Sequence, residues 1–339
     1  MPVPDLFHAG FAKCASTFLQ SVFQQRDDVF MVFKSEFISP LNQSSDLTES
    51  EHSYLARFDD ARDDQLVVES DEHLILPVIH PALGVRAVRR QDTKTVLKRL
   101  HELSPRAKLL FIIRNRTDMI LSTYSQYVLA GGTKKINAFV KELLSTTSED
   151  ENYYCVYYDE IIETAQEFFG DRVLVLLLED LRRDQSGEID RLNEFLQLPP
   201  FDYKDTFKAR RIGLSVLAMH FTRMLNLVLV RAGRGRETQK FWVPKPVYKF
   251  ACNMVRVIDH YVISKVLKLE KSSLLNYESK ALIESTFAGD NMKLSRRLGR
   301  DLAPLGYVVE PSKRQVPALK HLATEHVAAP LADSVVPQE

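Results

Sequence analysis

From Lys108 to Ile113 the chain reads Lys-Leu-Leu-Phe-Ile-Ile, with five apolar side chains in a row. A strand with one wet face alternates apolar and polar residues. An unbroken run needs cover on both faces, which a parallel sheet between two helical layers provides. Val173 to Leu178 repeats the pattern, and shorter apolar runs lie at Leu6 to Ala9, Val29 to Phe33 and Leu66 to Val68. Helical spacing fills the gaps between them. Phe18, Leu19, Val22 and Phe23 follow Gly10, and Asp92 to Leu103 ends before Pro105. Thr117 to Leu129 ends at Gly131-Gly132, Tyr157 to Phe169 closes on Gly170, and Glu188 to Leu196 stops before Pro199-Pro200. Strands alternating with helices predict an α/β fold, a P-loop-like parallel β-sheet flanked by helices. After Pro200 the pattern changes. Ser215 to Val230, Val247 to Leu269 and Glu278 to Leu298 read as helices with no strand between them, so a largely helical C-terminal region is expected. A single domain over 1–310 accommodates this, with an α/β core over 5–200 and a helical, basic part over 201–310. Pro317, Pro330 and Pro337 mark a flexible tail over 311–339.

With 339 residues, 45% of them apolar and 27% charged, the chain can bury a large core without staples. That excludes wholesale disorder and a disulfide-held miniprotein. Cys14, Cys155 and Cys252 are odd in number and far apart, so neither a disulfide framework nor a metal site is expected. No apolar run approaches the ~18 residues that a membrane span needs. The first residues lack the basic-then-apolar order of a secretory signal, and a cytoplasmic protein is the expectation. Lys+Arg and Asp+Glu both number 45, a balance that argues against nucleic acid as a partner. The balance hides two uneven stretches. Asp46 to Glu72 holds ten acidic residues against two arginines, and Lys204 to Lys271 holds fifteen basic residues against four acidic ones. The basic stretch (204–271) interleaves its charges with apolar and aromatic residues, as at Phe241-Trp242 and along Val247, Phe250, Met254 and Ile258. Such a pattern suits either a helical cap over the sheet or peripheral contact with an anionic membrane.

Two short segments carry chemistry. Gly10-Phe11-Ala12-Lys13-Cys14-Ala15-Ser16-Thr17 stands between the first strand and the first helix. A helix start offers unpaired N–H groups and the positive end of a dipole. Lys13 adds a charge, and Ser16 and Thr17 add hydroxyl donors, so the segment is a phosphate cradle by composition and placement. Its spacing, with Cys14 after the lysine, lacks the Gly-Lys-[Ser/Thr] that holds Mg²⁺ in an NTP-hydrolysing loop. Arg114 ends the apolar run of Lys108 to Ile113, at the strand end where open α/β sheets bind ligands. Its planar fork suits phosphate oxygens. Ser122 falls in the first turns of the following helix. Two anion sites at the ends of two strands imply one ligand with two separate phosphate groups. For each segment the plainer alternative is a solvated loop or helix cap.

Together these residues resemble the signature of sulfotransferases that use 3′-phosphoadenosine 5′-phosphosulfate (PAPS). The family's 5′-phosphosulfate loop reads Lys-x-Gly followed by two Ser or Thr, and Lys13-Cys14-Ala15-Ser16-Thr17 departs from it only at Ala15. In the 3′-phosphate motif an Arg and an Asp or Asn precede Ser-x-Tyr, as Arg114-Asn115 precede Ser122 and Tyr124. Val173 to Leu181 with Leu192 to Leu198 resembles a further segment of the family, and Phe287 to Tyr307 with Asp290-Asn291 resembles a C-terminal segment common in bacterial and carbohydrate-type members. The likeness covers residues 5–310. Met119 stands where many carbohydrate-type members carry a second arginine.

The resemblance implies an enzyme, a transferase with PAPS as donor, adenosine 3′,5′-bisphosphate (PAP) as product and no metal. It implies donor contacts from Gly10, Lys13, Cys14, Ala15, Ser16, Thr17, Arg114 and Ser122, with Arg210 and Arg211 as a late basic loop. Glu36, after the second strand, is the implied base, and Lys13 would stabilise the leaving phosphate. Lys34 would face the sulfuryl group, and Glu69 and Ser70 would touch the acceptor. His8, His73 and His80 are rival bases. Glu179-Asp180 mimics a metal-holding pair but reads as structural without the matching loop. The acceptor is a hydroxyl or amine of a glycan, lipid or other small molecule. A glycan or lipid-linked one is favoured by the basic apolar stretch, and a homo-oligomer is open. Two other classes stay open as well: a P-loop small-molecule kinase, and a non-catalytic membrane-surface module on the same fold.

Overall fold

Leu109 to Ile113 are fully buried, as an unbroken apolar run requires. They form β4 (Lys108–Ile113) of an all-parallel sheet. The computed structural model describes residues 2–33, 54–72, 74–75, 90–145, 157–203, 214–231, 241–259, 261 and 270–310. In the chain, β1 (Leu6–His8), β2 (Val29–Phe33) and β3 (Leu66–Ser70) precede β4, and β5 (Val173–Leu177) follows it. In space the order is β2-β3-β1-β4-β5. Leu6 of β1 lies beside Val68 of β3 on one side and Lys108 of β4 on the other. The chain leaves β1 toward one edge of the sheet and later leaves β4 toward the other. The carboxyl ends of β1 and β4 therefore flank the switch point, where a parallel sheet opens a crevice.

Helices α1 (Ser16–Phe23), α2 (Arg90–Leu103), α3 (Arg116–Leu129), α4 (Ile136–Ser145), α5 (Tyr158–Phe169), α6 (Leu178–Arg183) and α7 (Gln185–Leu196) surround this sheet. After them come α8 (Val216–Val228), α9 (Lys245–Ile258) and α10 (Tyr277–Arg297). The apolar faces of α1, α2, α5 and α7 close on the strands in one cluster, through Phe18 and Leu19, Val96 and Leu97, Ile161 and Ile162, and Ile189 and Leu192. Each fully buried side chain of this size contributes about 1.5–3 kcal/mol. A second cluster lies beside the first. Ile120 and Tyr127 of α3, Phe139 of α4, Met219 of α8 and Phe287 of α10 meet there. Helix α10 joins the two, because its Phe287 belongs to the second cluster and its Leu294 to the first.

Polar bonds pin the cap of α8 and α9 to α3. Buried Asn226 donates to Val128 O (2.7 Å) and Gly132 O (2.9 Å) and accepts from Tyr248 Oη (2.8 Å). Arg116 pairs with Asp290, donates to Asn291 Oδ1 (2.7 Å) and stacks on Tyr158, which locks α10 onto α3. The Asp290-Asn291 pair of the C-terminal segment thus does a structural job.

The structure differs from the sequence expectation in three places. Two strands, β6 (Leu229–Arg231) and β7 (Phe241–Val243), pair in parallel within the region expected to hold none. Three residues are too few to display a two-residue period. The strand after Arg172 ends at Leu177, and α6 begins at Leu178, with Glu179 and Asp180 at the helix start where negative charge is favoured. Helix α4 stands where no helix is expected, although Ile136, Phe139, Val140 and Leu143 carry its spacing. Of the helix expected over Val247 to Leu269, α9 covers the first part, while 262–269 lie outside the described residues, as does the expected tail 311–339.

Candidate active site

β1 runs straight into the Gly10 loop, and the loop is tied to β4 before it turns. Ala9 N–H donates to Leu110 O (3.1 Å), Phe11 N–H to Ile112 O (3.0 Å), and Ile112 N–H back to Gly10 O (3.0 Å). Gly10 adopts a φ of 143°, a conformation that side chains avoid. Lys13 and Ala15 both sit at φ 69°. Ala15 is the residue before α1 and makes no side-chain cap bond, so the cap residue itself leaves the first helical amides uncovered, where a Ser or Asp would bond to them. The left-handed position is the one where the resembling motif carries Gly, and an L-residue there costs ~1–2 kcal/mol.

The loop side chains separate into two kinds. Lys13 is half-buried and Thr17 exposed. Ser16 donates to Glu72 Oε2 (2.8 Å), so a carboxylate from beyond β3 reaches the loop. Cys14 points the other way. Its side chain is fully buried, its N–H donates to Phe11 O (3.2 Å) and its thiol to Ala12 O (3.6 Å). Burial pushes the thiol pKa up to about 12. Cys14 shapes the loop from inside as a neutral thiol.

Arg114 follows β4 and is 8% exposed. Nη1 donates to Lys13 O (3.1 Å) and Nη2 to Asp118 Oδ2 (3.0 Å). Its Nε is buried with no hydrogen-bond partner among the described residues. Segments 101 residues apart in sequence are thereby in contact. Asn115 caps α3 by accepting from Asp118 N–H (2.9 Å). Its own N–H and Nδ2 donate to Glu179 Oε1 (2.9 and 3.1 Å), and Tyr307 Oη donates to Glu179 Oε2 (3.3 Å). Glu179 is a brace between β4, α6 and the C-terminal segment. Ser122 lies one helical turn beyond Asp118 on α3, hence on the face that Arg114 reaches, and is half-buried.

Two cations that the sequence reading misses join this end. Arg182 of α6 comes to 3.8 Å from Asp118. Lys271, at the start of the short turn Lys271–Leu274, lies in the field of Arg114, Asp118, Asp259 and Arg182; burial first, then Arg114, holds its pKa below the ordinary lysine value. No local motif announces either one, since Lys271 is one of fifteen basic residues in its stretch. Glu72 is likewise one of ten acidic residues in its own.

Glu69 and Ser70 are interior. Glu69 is fully buried, accepts from Tyr54 Oη and pairs with Arg57 (3.1 Å), and burial pushes its carboxyl pKa up. Ser70 Oγ shares a hydrogen bond with His8 Nδ1 (2.8 Å) and accepts from Gln20 Nε2 (3.1 Å). His8 is buried too, and burial lowers its pKa to about 4, so the ring is neutral. Lys34, Glu36, His73, His80, Arg210 and Arg211 lie outside the described residues.

The family model described as "Sulfotransferase domain" matches residues 3–241. The chain belongs to the sulfotransferase domain family. None of the curated proteins matches the sequence. Among solved structures, a sulfotransferase from Alicyclobacillus acidocaldarius is similar to this sulfotransferase over 90% of its chain and 100% of that one, at 14% identity and a TM-score of 0.55. A mouse sulfotransferase complexed with PAP matches at 15% identity over 60% and 62% of the two chains, with a TM-score of 0.36. The sulfotransferase domain from the curacin biosynthetic pathway matches at 13% identity over 59% and 76%, with a TM-score of 0.34. The fold shared with the bacterial enzyme is the five-stranded parallel sheet flanked by helices. The activity is PAPS-dependent sulfuryl transfer. The residues fit that donor: a buried guanidinium whose Nε has no partner among the described residues and a lysine stand at adjoining strand ends, as a molecule with two separate anionic groups requires.

Proposed function

We infer that this sulfotransferase moves the sulfuryl group of PAPS onto a hydroxyl of a glycan or lipid-linked acceptor. The 3.1 Å bond from Arg114 to Lys13 O supports the reading most, because it makes one continuous surface of the two anion-binding segments. In this reading Lys13, Ser16, Thr17 and the first amides of α1 hold the 5′-phosphosulfate. Arg114 and Ser122 hold the 3′-phosphate, with Lys271 and Arg182 adding positive charge and Arg210 and Arg211 contributing from the later basic loop. The protein's task is to align the acceptor oxygen in line with the bond that breaks. Glu36 takes the acceptor proton as its oxygen bonds to sulfur. The bond from sulfur to the 5′-phosphate oxygen breaks, and Lys13 stabilises the charge on the phosphate that leaves in PAP. Residues 1–310 act as a single unit, since α10 belongs to both apolar clusters.

The bond from Ser16 to Glu72 favours a second reading of the base, in which Glu72 takes the proton. Gln variants tell the two apart: the base variant keeps PAP affinity and loses PAPS turnover by about two to four powers of ten. The donor assignment itself is tested by calorimetric titration of PAP against ADP and ATP, with and without Mg²⁺, on the wild type and on Lys13→Ala and Arg114→Ala. Metal-independent binding of PAP, weakened by both substitutions, is expected. Preference for Mg·ATP would move the protein to the kinases. No nucleotide binding would leave a non-catalytic module.

A further inference from the structure

The cap leaves apolar surface bare. On α8, Leu217, Phe221 and Met224 are exposed, Phe221 by 58%. On α9, Val247, Phe250 and Met254 are exposed, Phe250 by 67%. Each set recurs at three- and four-residue steps, so each forms a stripe along one side of its helix. The opposite sides are the packed ones: Val216, Ala218 and Met219 of α8 and Tyr248 and Val255 of α9 are buried. Among the described elements none covers the stripes.

Charge decides what covers them. Neither α8 nor α9 contains an acidic residue, while Arg223, Lys245, Lys249 and Arg256 lie on them. Asp259, just past α9, is turned inward to accept from Ser215 N–H (2.7 Å) and is buried. Among the described residues, a cavity of about 360 Å³ beside α8 is lined by Tyr124, Lys135, His220 and Arg223 and by no carboxylate. A second copy of this chain would bring the same positive charges against one another. An anionic bilayer offers the opposite sign and an apolar layer beneath it, the pairing that holds amphipathic helices in an interface. No helix among the described residues is long and apolar enough to cross a membrane, so the contact is a surface one.

We propose that the face formed by α8 and α9 docks this sulfotransferase on anionic phospholipid membranes, with Phe221 and Phe250 inserted and the exposed Arg256 at headgroup depth. The surface stands independently of the donor and base assignments.

Flotation of the full chain tests this, with vesicles of phosphatidylcholine alone and of phosphatidylcholine mixed with phosphatidylglycerol. The protein is expected to float with the mixed vesicles only and to be released by high salt. The double variant Phe221→Ser/Phe250→Ser weakens partitioning at least about tenfold. Arg256→Gln weakens it about fivefold and leaves thermal unfolding unchanged. Should the double variant fail to fold, the effect of Arg256→Gln and the salt dependence still decide. Equal binding to both vesicles, or to neither, overturns the proposal. So does a dimer in sedimentation velocity that the double variant disperses without any vesicle binding, which would assign the face to a second copy.

Discussion

The sheet core and the α8–α9 cap are made of the same kinds of side chain and end in opposite states. Phe111 in β4 is 0% exposed and Phe250 in α9 is 67% exposed. Strand β4 is covered because α1 and its partners on the other face were drawn onto an apolar surface that has no wet side. Helix α9 has one side to bury, against the cluster of α3, α4 and α10, and a second apolar side with no described element on it. Apolarity alone therefore does not make core. What makes core is apolarity that the remaining elements can reach. The difference has a functional side: the buried region builds a rigid shelf for the Gly10 loop, and the bare one is exposed to a partner.

The comparison can be broken most directly at its two phenylalanines. Phe111→Ala is expected to cost about 3–5 kcal/mol in urea unfolding, the usual price of a large core cavity. Arg114→Ala tests whether the shelf serves a ligand. PAP affinity measured by calorimetry should fall by about 2–3 kcal/mol, since charged hydrogen bonds are lost, while α8 and α9 are untouched. The sheet also carries a pH signature. His8 is held neutral by burial, with its pKa lowered from 6.5 to about 4. Its contribution to stability is complete above the unfolded pKa and is lost as pH falls toward the folded one. Between about pH 7 and about pH 5 the loss is ~2 kcal/mol, and a His8→Gln variant should show a flatter dependence of unfolding free energy on pH. Ala15→Gly relieves the left-handed strain at the start of α1. A net gain of about 0.5 kcal/mol is expected once the added freedom of the unfolded chain is subtracted. The smallest effect belongs to the cap: Phe250→Ala should change stability by no more than about 0.5 kcal/mol. A cost comparable to that of Phe111→Ala would show that the bare face is covered in solution and end the contrast.

Much of the fold was legible because its signals are local. The runs Lys108–Ile113 and Val29–Phe33 became strands with those bounds, and Tyr158–Phe169 and Arg116–Leu129 became helices within a residue or two of their expected ends. Strands β6 and β7 were not, because β6 continues the apolar run of α8 without a break and β7 stands alone, so neither shows the bounded run that marks β1. The candidate site divides in the same way. Lys13, Ser16, Thr17 and Arg114 could be named from placement at strand ends. Lys271, Arg182 and Glu72 could not, since they reach the site from other elements. Cys14, Glu69 and Ser70 were expected to face the donor or the acceptor, yet their side chains are buried. A strand alternates its sides and a loop folds some of its residues inward, so neighbours in sequence need not share a face.

By itself, then, the sequence determined the parallel sheet, the loop between β1 and α1, and the family, because apolar period and motif spacing are properties of short segments. Only the tertiary structure decided that Arg114 meets Lys13, that Asp290 and Asn291 belong to Arg116, and that α8 and α9 keep an apolar side uncovered. Contacts between distant segments depend on how whole elements pack, and no local pattern encodes which face will be left without a neighbour.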